Sequence, residues 1–445
     1  MEFGKHLKKG FWGFADKSLP AIYGLGFVFL VIRVLPKEEF GTYVLIQNLF
    51  LLLVAAGSSF ALQPMVKYAA ETEEISEIVT TGNWMYVSFV VIFGALIAVL
   101  KEQFAQLFHS PSFSLLAWFL PLMLILSSLR TVILYLFQSK IQIKQMFWIN
   151  AVYFLGSLLL IAFAFQNIAN QTAFTILLIN TITLALSSLL AIVIVPFSFR
   201  KGILKSLFQL SIEKETAKKF WHYGKYSFGA SATYTLYTQA DSFILATVLG
   251  PISVAVYNAA KIFTRVFDVV LQVIITFLMP TSSKLSAQNN SSELLALAEK
   301  SMFVFTVLVF PVALFFWFFA PQIISLLYVD KYPEAIPVLR ILAVAGICIP
   351  TIGVASSFLY GIGKMKEVFV ASTINVFVAI ALFYLGILFS GIIGGAISIV
   401  LTSVLMMFTY SFTLVRFGKV QVKLVNVVLR YKDAVSFSKK IFSKE

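Results

Sequence analysis

Nine ionisable side chains lie inside strongly apolar runs of this sequence: Asp16, Lys17, Arg33, Arg130, Asp241, Lys261, Arg265, Asp268 and Arg340. At the centre of a bilayer each unpaired charge costs roughly 2.5–3.5 kcal/mol, so the four between Asp241 and Asp268 together approach about 10 kcal/mol. Facing one another or a wet cavity offsets that cost. Lys261, Arg265 and Asp268 are spaced i, i+4 and i+7, which predicts one helical face. Asp241 and Lys261 sit at similar distances on either side of a Gly250-Pro251 turn, about 14–15 Å from it at a helical rise. An Asp241–Lys261 pair is therefore expected, with Asp268 as the partner of Arg265.

Two readings of these charges stand side by side. In one they are ion pairs that hold helices together. In the other the surplus of positive charge, Lys261 and Arg265 with Arg130, lines a central cavity and receives an anionic head group, while Asp241, Asp268, Asp16 and Lys17 pair with cations or couple to an ion. Arg130 has no acidic residue within four positions, and snorkelling to the nearer interface is its alternative. Arg33 and Arg340 lie close to the outer interface and read as anchors, and Asp16–Lys17 as a partly buried local pair. Gln47, Asn48, Asn150, Asn180, Gln239, Asn258, Gln272 and Asn375 read mainly as interhelical hydrogen-bonding groups.

Covalent chemistry finds no foothold. His6, His109 and His222 are scattered, the lone Cys348 lies in an apolar run, and Gly361–Lys364 lacks the spacing of a phosphate-binding loop. The expectation is a protein that is not an enzyme, with no catalytic residues, no metal and no cofactor. A net charge of +14 raises the question of nucleic acid. Its location in short loops and tails between apolar runs assigns it to the membrane surface instead.

The elements that must position these residues are membrane helices. With 60% hydrophobic and 12% charged residues, the chain is far more apolar than a soluble one. Runs long enough to cross a bilayer occur at Phe11–Leu35, Gly41–Leu62, Gly82–Leu100, Phe113–Phe137, Phe147–Phe165 and Thr172–Pro196. Six more follow at Tyr226–Leu249, Ser253–Met279, Met302–Tyr328, Ala335–Leu359, Val368–Phe389 and Ile392–Val415. Continuous apolarity predicts helices rather than barrel strands. Placing the N-terminus in the cytoplasm leaves only Lys37, Lys101 and Lys331 in outer loops, so both termini are expected inside.

The predicted organisation is an N-terminal six-helix bundle over 1–199, a basic amphipathic linker over 200–224, a C-terminal bundle over 225–415 and a basic tail over 416–445. In the linker, Leu204, Leu207 and Phe208 among lysines suggest a helix lying on the anionic inner leaflet, with a solvated basic linker as the alternative. A weak repeat joins Leu134-Tyr135…Ile149-Asn150 to Leu359-Tyr360…Ile374-Asn375 at equal spacing. Together with Val34-Leu35…Tyr43 against Val248-Leu249…Tyr257, it favours two similar bundles around a central site.

Several stretches also carry a family likeness. The run Arg33–Tyr43 resembles the R-x-L-x-x-x-E-[FY]-G-x-Y signature that follows the first span in polysaccharide-type exporters of the multidrug/oligosaccharidyl-lipid/polysaccharide superfamily. Asp241 with Val248–Gly250, Val256–Lys261 and Met279-Pro280 is similar, as are Leu326–Tyr328 with Tyr332, Ala335 and Val338–Leu342, and the stretch Tyr360–Lys364. Ser242 departs from the family, which often has Arg there, and some relatives have fourteen spans rather than twelve. The resemblance implies a flippase for undecaprenyl-pyrophosphate-linked sugar repeat units of O-antigen, capsule or exopolysaccharide. It also implies two six-helix bundles around a cavity and residence in the bacterial inner membrane. Its partners would be the lipid-linked sugar, anionic lipids and polysaccharide polymerase machinery. Alternatives are a drug/cation antiporter of the same superfamily with Asp16 or Asp241 as coupling acid, a peptidoglycan-precursor flippase, or a membrane-embedded glycosyl- or acyltransferase.

Overall fold

The computed structural model describes residues 2–72, 74–167, 172–199, 203–209, 213–288 and 291–418. Every regular element among them is helical. Ten helices are long and apolar enough to cross a membrane: Phe11–Ile32, Lys37–Glu71, Ser76–Val99, Pro111–Ser139, Ile143–Gln166, Ala173–Ser198, Pro251–Ala287, Ser292–Tyr328, Ala335–Gly361 and Met365–Arg416. The last holds two crossings, because Ser390 (φ −137°, ψ 18°) and Gly391 (φ 59°, ψ −139°) break it in the middle. The expected crossing at Tyr226–Leu249 is the second half of a longer helix, Lys214–Leu249, whose first half is too polar for the bilayer. Among the described residues the protein is therefore all-helical, and its ten membrane-length helices, with the last divided in two and the second half of Lys214–Leu249 added, make twelve crossings, called first to twelfth below.

Helix ends run beyond the apolar stretches, since backbone hydrogen bonds persist where hydropathy fades. The second crossing continues to Glu71, through a π-helical stretch at Ser58–Leu62. Pro64, one residue into the following α-helix, has no N–H to donate, and widening the preceding turn accommodates it. The seventh helix begins behind Glu213. That carboxylate accepts a 2.6 Å hydrogen bond from Thr216 Oγ1, which holds its pKa below the usual value and keeps a negative charge at the helix N-terminus.

By packing, the chain divides into two compact units, Met1–Ala255 and Val256–Glu445. The seventh helix thus packs with the first six. Gly224 makes that close, since a Cβ there would fall 2.2 Å from the Phe60 carbonyl oxygen, and Gly41 does the same for the start of the eighth crossing, where a Cβ would fall 1.8 Å from the Pro251 carbonyl oxygen. The connecting segment carries one short helix, Ile203–Phe208. It docks on the start of the third crossing, where Thr80 Oγ1 donates to Ser206 O and Asn83 Nδ2 to Leu207 O, both at 2.8 Å. Leu207 is consequently buried against protein while Phe208 stays exposed. Arg200 and Lys201 of the predicted linker, and the predicted tail from residue 419 onward, lie outside the described residues.

Within the second unit the eighth and tenth crossings pack through small residues. A Cβ on Gly353 would lie 2.9 Å from Leu271, and one on Gly346 2.5 Å from the Phe267 ring. Ile274, Leu278, Val354, Ala355, Phe358 and Leu359 form the apolar cluster beside this seam. Lipid tails are as apolar as leucine, so close backbone approach of this kind, rather than a hydrophobic drive, binds the helices.

The residues of Arg33–Tyr43 have structural jobs. Glu39 accepts a 2.7 Å bond from Ala173 N at the start of the sixth crossing, Phe40 packs on Phe27, Gly41 admits Pro251, and the Tyr43 hydroxyl accepts from Asn180.

Replacing Gly41 by valine overfills the contact with Pro251 and is expected to cost roughly 1–3 kcal/mol, read as a lower melting temperature of the purified protein. Gly13→Ala, with nothing near its Cβ, leaves it unchanged. For orientation, Cys348→Ser removes the only thiol. On that background, cysteines at Lys101 and Lys331 are expected to react with an impermeant maleimide in intact cells, and those at Lys205 and Lys284 only after permeabilisation.

Candidate functional site

The most developed polar site lies inside the first unit, around Arg130 on the fourth crossing. Its Nε donates to Ser187 Oγ on the sixth crossing at 2.8 Å, and its Nη2 to Asn150 Oδ1 on the fifth at 2.5 Å. Asn150 Nδ2 donates in turn to Asp16 Oδ1 on the first crossing at 2.7 Å. One amide therefore stands between a cation and an anion. Only this orientation satisfies both, because turning the amide over sets its NH2 against the guanidinium and its oxygen against the carboxylate. The guanidinium carbon also sits 5.1 Å from the centre of the Tyr153 ring, a cation–π contact. Ser187 passes its own hydroxyl hydrogen to Ile149 O at 2.7 Å.

A second layer of phenols and amides surrounds this relay. Tyr23 stacks on Tyr153 with centroids 6.4 Å apart, and its hydroxyl donates to Asn180 Oδ1 at 3.4 Å. Asn180 Nδ2 donates to the Tyr43 hydroxyl at 3.1 Å. Five crossings thus contribute to one connected network, in which Asp16, Asn180 and Ser187 are buried. A buried polar network with its members satisfied fixes helix rotation and register.

The structure brings Asp16 and Arg130 together, a link that sequence spacing did not offer. The Asp16–Lys17 pair does not form: Asp16 turns inward to Asn150, and Lys17, the next residue, is exposed on the other side of the helix. Asp241 is buried at the end of the first unit, and its Oδ1 accepts from the Ser242 backbone N–H at 2.7 Å. Lys261 belongs to the second unit, half-buried, with Nζ 5.9 Å from the centre of the Tyr257 ring. The predicted continuous face of Lys261, Arg265 and Asp268 is interrupted by a 3-10 turn at Ile262–Thr264, so Lys261 ends one α-helical segment and Arg265 begins the next. The three still form one cluster. Asp268 feels both cations electrostatically, and Arg265 and Asp268 are exposed.

Arg340 is tied to the ninth crossing, where its Nε donates to Trp317 O at 3.1 Å, and Arg33 is exposed in the turn after the first crossing. Sequence reasoning missed Glu299, which is fully buried in the ninth crossing. The apolar run read from the sequence starts at Met302, but Ala298 and Met302 belong to the buried core on either side of Glu299, and that pattern is its available signal.

Comparison with solved structures places this arrangement in context. The chain superposes on one described as "Lipid II flippase MurJ, inward closed conformation" with a TM-score of 0.74 at 14% identity, over 99% of this chain and 93% of that one. An inward-facing multidrug resistance MATE family transporter of the MOP superfamily gives 0.72 at 16% identity, over 92% and 98%. A MATE structure in the straight conformation gives 0.60 at 15%, over 93% and 96%. The fold is that of multi-pass membrane flippases and transporters. Residues 30–337 match the family described as polysaccharide biosynthesis protein, and the chain belongs to that family. No curated protein matches it in sequence.

Asn150→Leu removes both relay bonds and takes from the buried Asp16 carboxylate its Asn150 donor, a loss of roughly 3 kcal/mol. The purified variant should melt well below the parent, whereas Asp16→Asn, which keeps an acceptor for Asn150, should fall much less. Equal melting of Asn150→Leu and the parent would show that the relay contributes nothing to the fold.

Proposed function

We propose that this protein is a flippase that carries undecaprenyl-pyrophosphate-linked oligosaccharide repeat units across the bacterial inner membrane by alternating access. The match of residues 30–337 to the polysaccharide biosynthesis family, on a fold shared with a lipid II flippase, carries this reading. Two six-crossing halves, 1–199 and 225–415, with both termini in the cytoplasm, form its framework. The pyrophosphate and sugar occupy a cationic cavity while the polyprenyl tail stays in lipid. The chain does its work without covalent catalysis.

The charge distribution supports an anionic cargo. Lys261 and Arg265 outnumber Asp268 in their cluster, and the Arg130 cation touches neutral partners directly, with Asp16 one amide further away. In this reading Lys261, Arg265 and Arg130 offset phosphate charge, and Asp241, Asp268 and Asp16 tune or release them. Lys17, exposed at the inner end of the first crossing, attracts anionic lipid. Polymerase machinery receives the flipped product.

A second reading, a cation-coupled drug antiporter, is favoured by one observation: Asp16 is a buried carboxylate linked through Asn150 to a cation.

Flipping of a fluorescent lipid-linked oligosaccharide in proteoliposomes separates the two. Arg265→Ala and Lys261→Ala are each expected to slow it about tenfold, the equivalent of one lost interaction of roughly 1.4 kcal/mol, at unchanged protein level. Full activity in both variants would remove these cations from the cargo path. Drug efflux that vanishes in Asp16→Asn, with no lipid flipping by the parent, would select the antiporter.

A further inference from the structure

The first unit has a second polar site, which the relay around Arg130 does not use. It is a pocket of about 480 Å³ lined by Lys67, Tyr68, His222, Tyr223, Tyr226 and Ser227. The Lys/Arg pattern assigns this end of the second crossing and the seventh helix to the cytoplasm. The seam between the two helices builds its walls. Gly224 brings them so close that a Cβ there would fall 2.2 Å from the Phe60 carbonyl oxygen, and Ser227 donates a hydrogen bond to Gln63. Tyr226 follows His222 and Tyr223 by four and three positions, so the three rings share one helical face. Lys67 and Tyr68 meet them from the helical segment Gln63–Glu71.

These groups are held in place yet keep their bonding capacity. Lys67 Nζ stands 5.2 Å and 5.0 Å from the Tyr68 and Tyr223 ring centres, contacts that fix an ammonium without neutralising it. The Tyr68 and Tyr223 rings meet edge-on at 6.3 Å, and those of His222 and Tyr226 at 5.7 Å. Among the described residues no hydrogen bond or ion pair engages the Lys67 ammonium, the His222 ring or the hydroxyls of Tyr68, Tyr223 and Tyr226. A cation, three phenols and an imidazole therefore offer their donors and acceptors to one small space. Tyrosines that only anchor a helix at the interface turn their rings to lipid one by one. Here they converge.

We propose that this pocket binds a phosphate-bearing sugar, the head of the lipid-linked cargo, on the cytoplasmic side before transport. The proposal rests on the flippase reading and adds a loading site to it. A pyranose has apolar C–H faces and a rim of hydroxyls, which tyrosines match with ring surface and phenols. Lys67 supplies a point charge opposite the phosphate. A prenyl or acyl chain could use none of these polar groups. His222 lies in the half of the seventh helix that is too polar for the bilayer, which sets the pocket at the level of head groups rather than tails. Its volume of about 480 Å³ falls among small-molecule sites and admits a sugar phosphate.

The test is saturation-transfer NMR on the full chain in phosphatidylethanolamine nanodiscs, with glucose 1-phosphate and glucose as probes and inorganic phosphate as competitor. Glucose 1-phosphate is expected to show ring C–H signals and to bind about fivefold more tightly than glucose, the worth of one interfacial charge. Lys67→Gln, at an exposed position, should erase that difference at an unchanged melting temperature, and Lys67→Arg should keep it. Tyr223→Leu with Tyr226→Leu should remove the signals of both sugars, whereas phenylalanine at both positions retains them weakened. Parent-like affinity in Lys67→Gln and in the double leucine variant would overturn the site. Inorganic phosphate that binds as tightly as the sugar phosphate would reduce it to an anion site and overturn the sugar. Displacement of the sugar phosphate when phosphatidylglycerol is added to the nanodisc would assign the pocket to a lipid head group instead. Flipping measured in proteoliposomes from the same preparation keeps the two ideas apart. Binding that depends on Lys67 and the tyrosines, with no flipping by the parent, defeats the flippase reading and leaves the site. Flipping by the parent, with binding indifferent to these variants, defeats the site.

Discussion

A guanidinium enclosed by apolar helices must be satisfied by protein, because the bilayer core holds no water to do it. Arg130 meets that demand with Ser187, Asn150 and the Tyr153 face, and reaches Asp16 only through the Asn150 amide. The consequence spreads through the first unit. Four crossings must be rotated so that these groups converge, and the second crossing joins through Tyr43 and Asn180. Apolar packing alone distinguishes poorly between helix rotations in lipid, so the polar network selects one.

The amide bridge also shapes the electrostatics. A direct Asp–Arg pair would bring the two charges into contact, whereas an interposed amide keeps them apart and leaves the guanidinium bonded to neutral groups. The cluster in the second unit follows a similar logic by different means. Its 3-10 turn at Ile262–Thr264 separates Lys261 from Arg265 along the helix, and Asp268 answers to both.

Much of the architecture was legible because lipid imposes a simple code. Twelve continuous apolar runs needed no tertiary information, and even the break between the last two crossings lies where the runs divided, at Ser390 and Gly391. Helix ends were less legible. Hydropathy falls at charged residues while the hydrogen-bonded helix continues, which extended the second crossing to Glu71 and hid the buried Glu299. Asn150 was visible as an interhelical bonding group, but its partners Arg130 and Asp16 come from other crossings and no spacing joins them. The face through Lys261, Arg265 and Asp268 assumed an unbroken helix, and no Gly or Pro between Lys261 and Arg265 signals the 3-10 turn.

The sharp turn at Ser390–Gly391 bears on how the chain is made. A Cβ on Gly394 would fall 1.8 Å from the Gly386 carbonyl oxygen, and Ser398 Oγ donates to Leu382 O at 2.7 Å, so the two arms meet immediately beyond the turn. The loop between them has no acidic or basic residue. During biosynthesis nothing hydrophilic has to be hauled through the bilayer to install this pair. The arms can leave the translocon already zipped, as a single hairpin, with the membrane deciding only which way its basic end points.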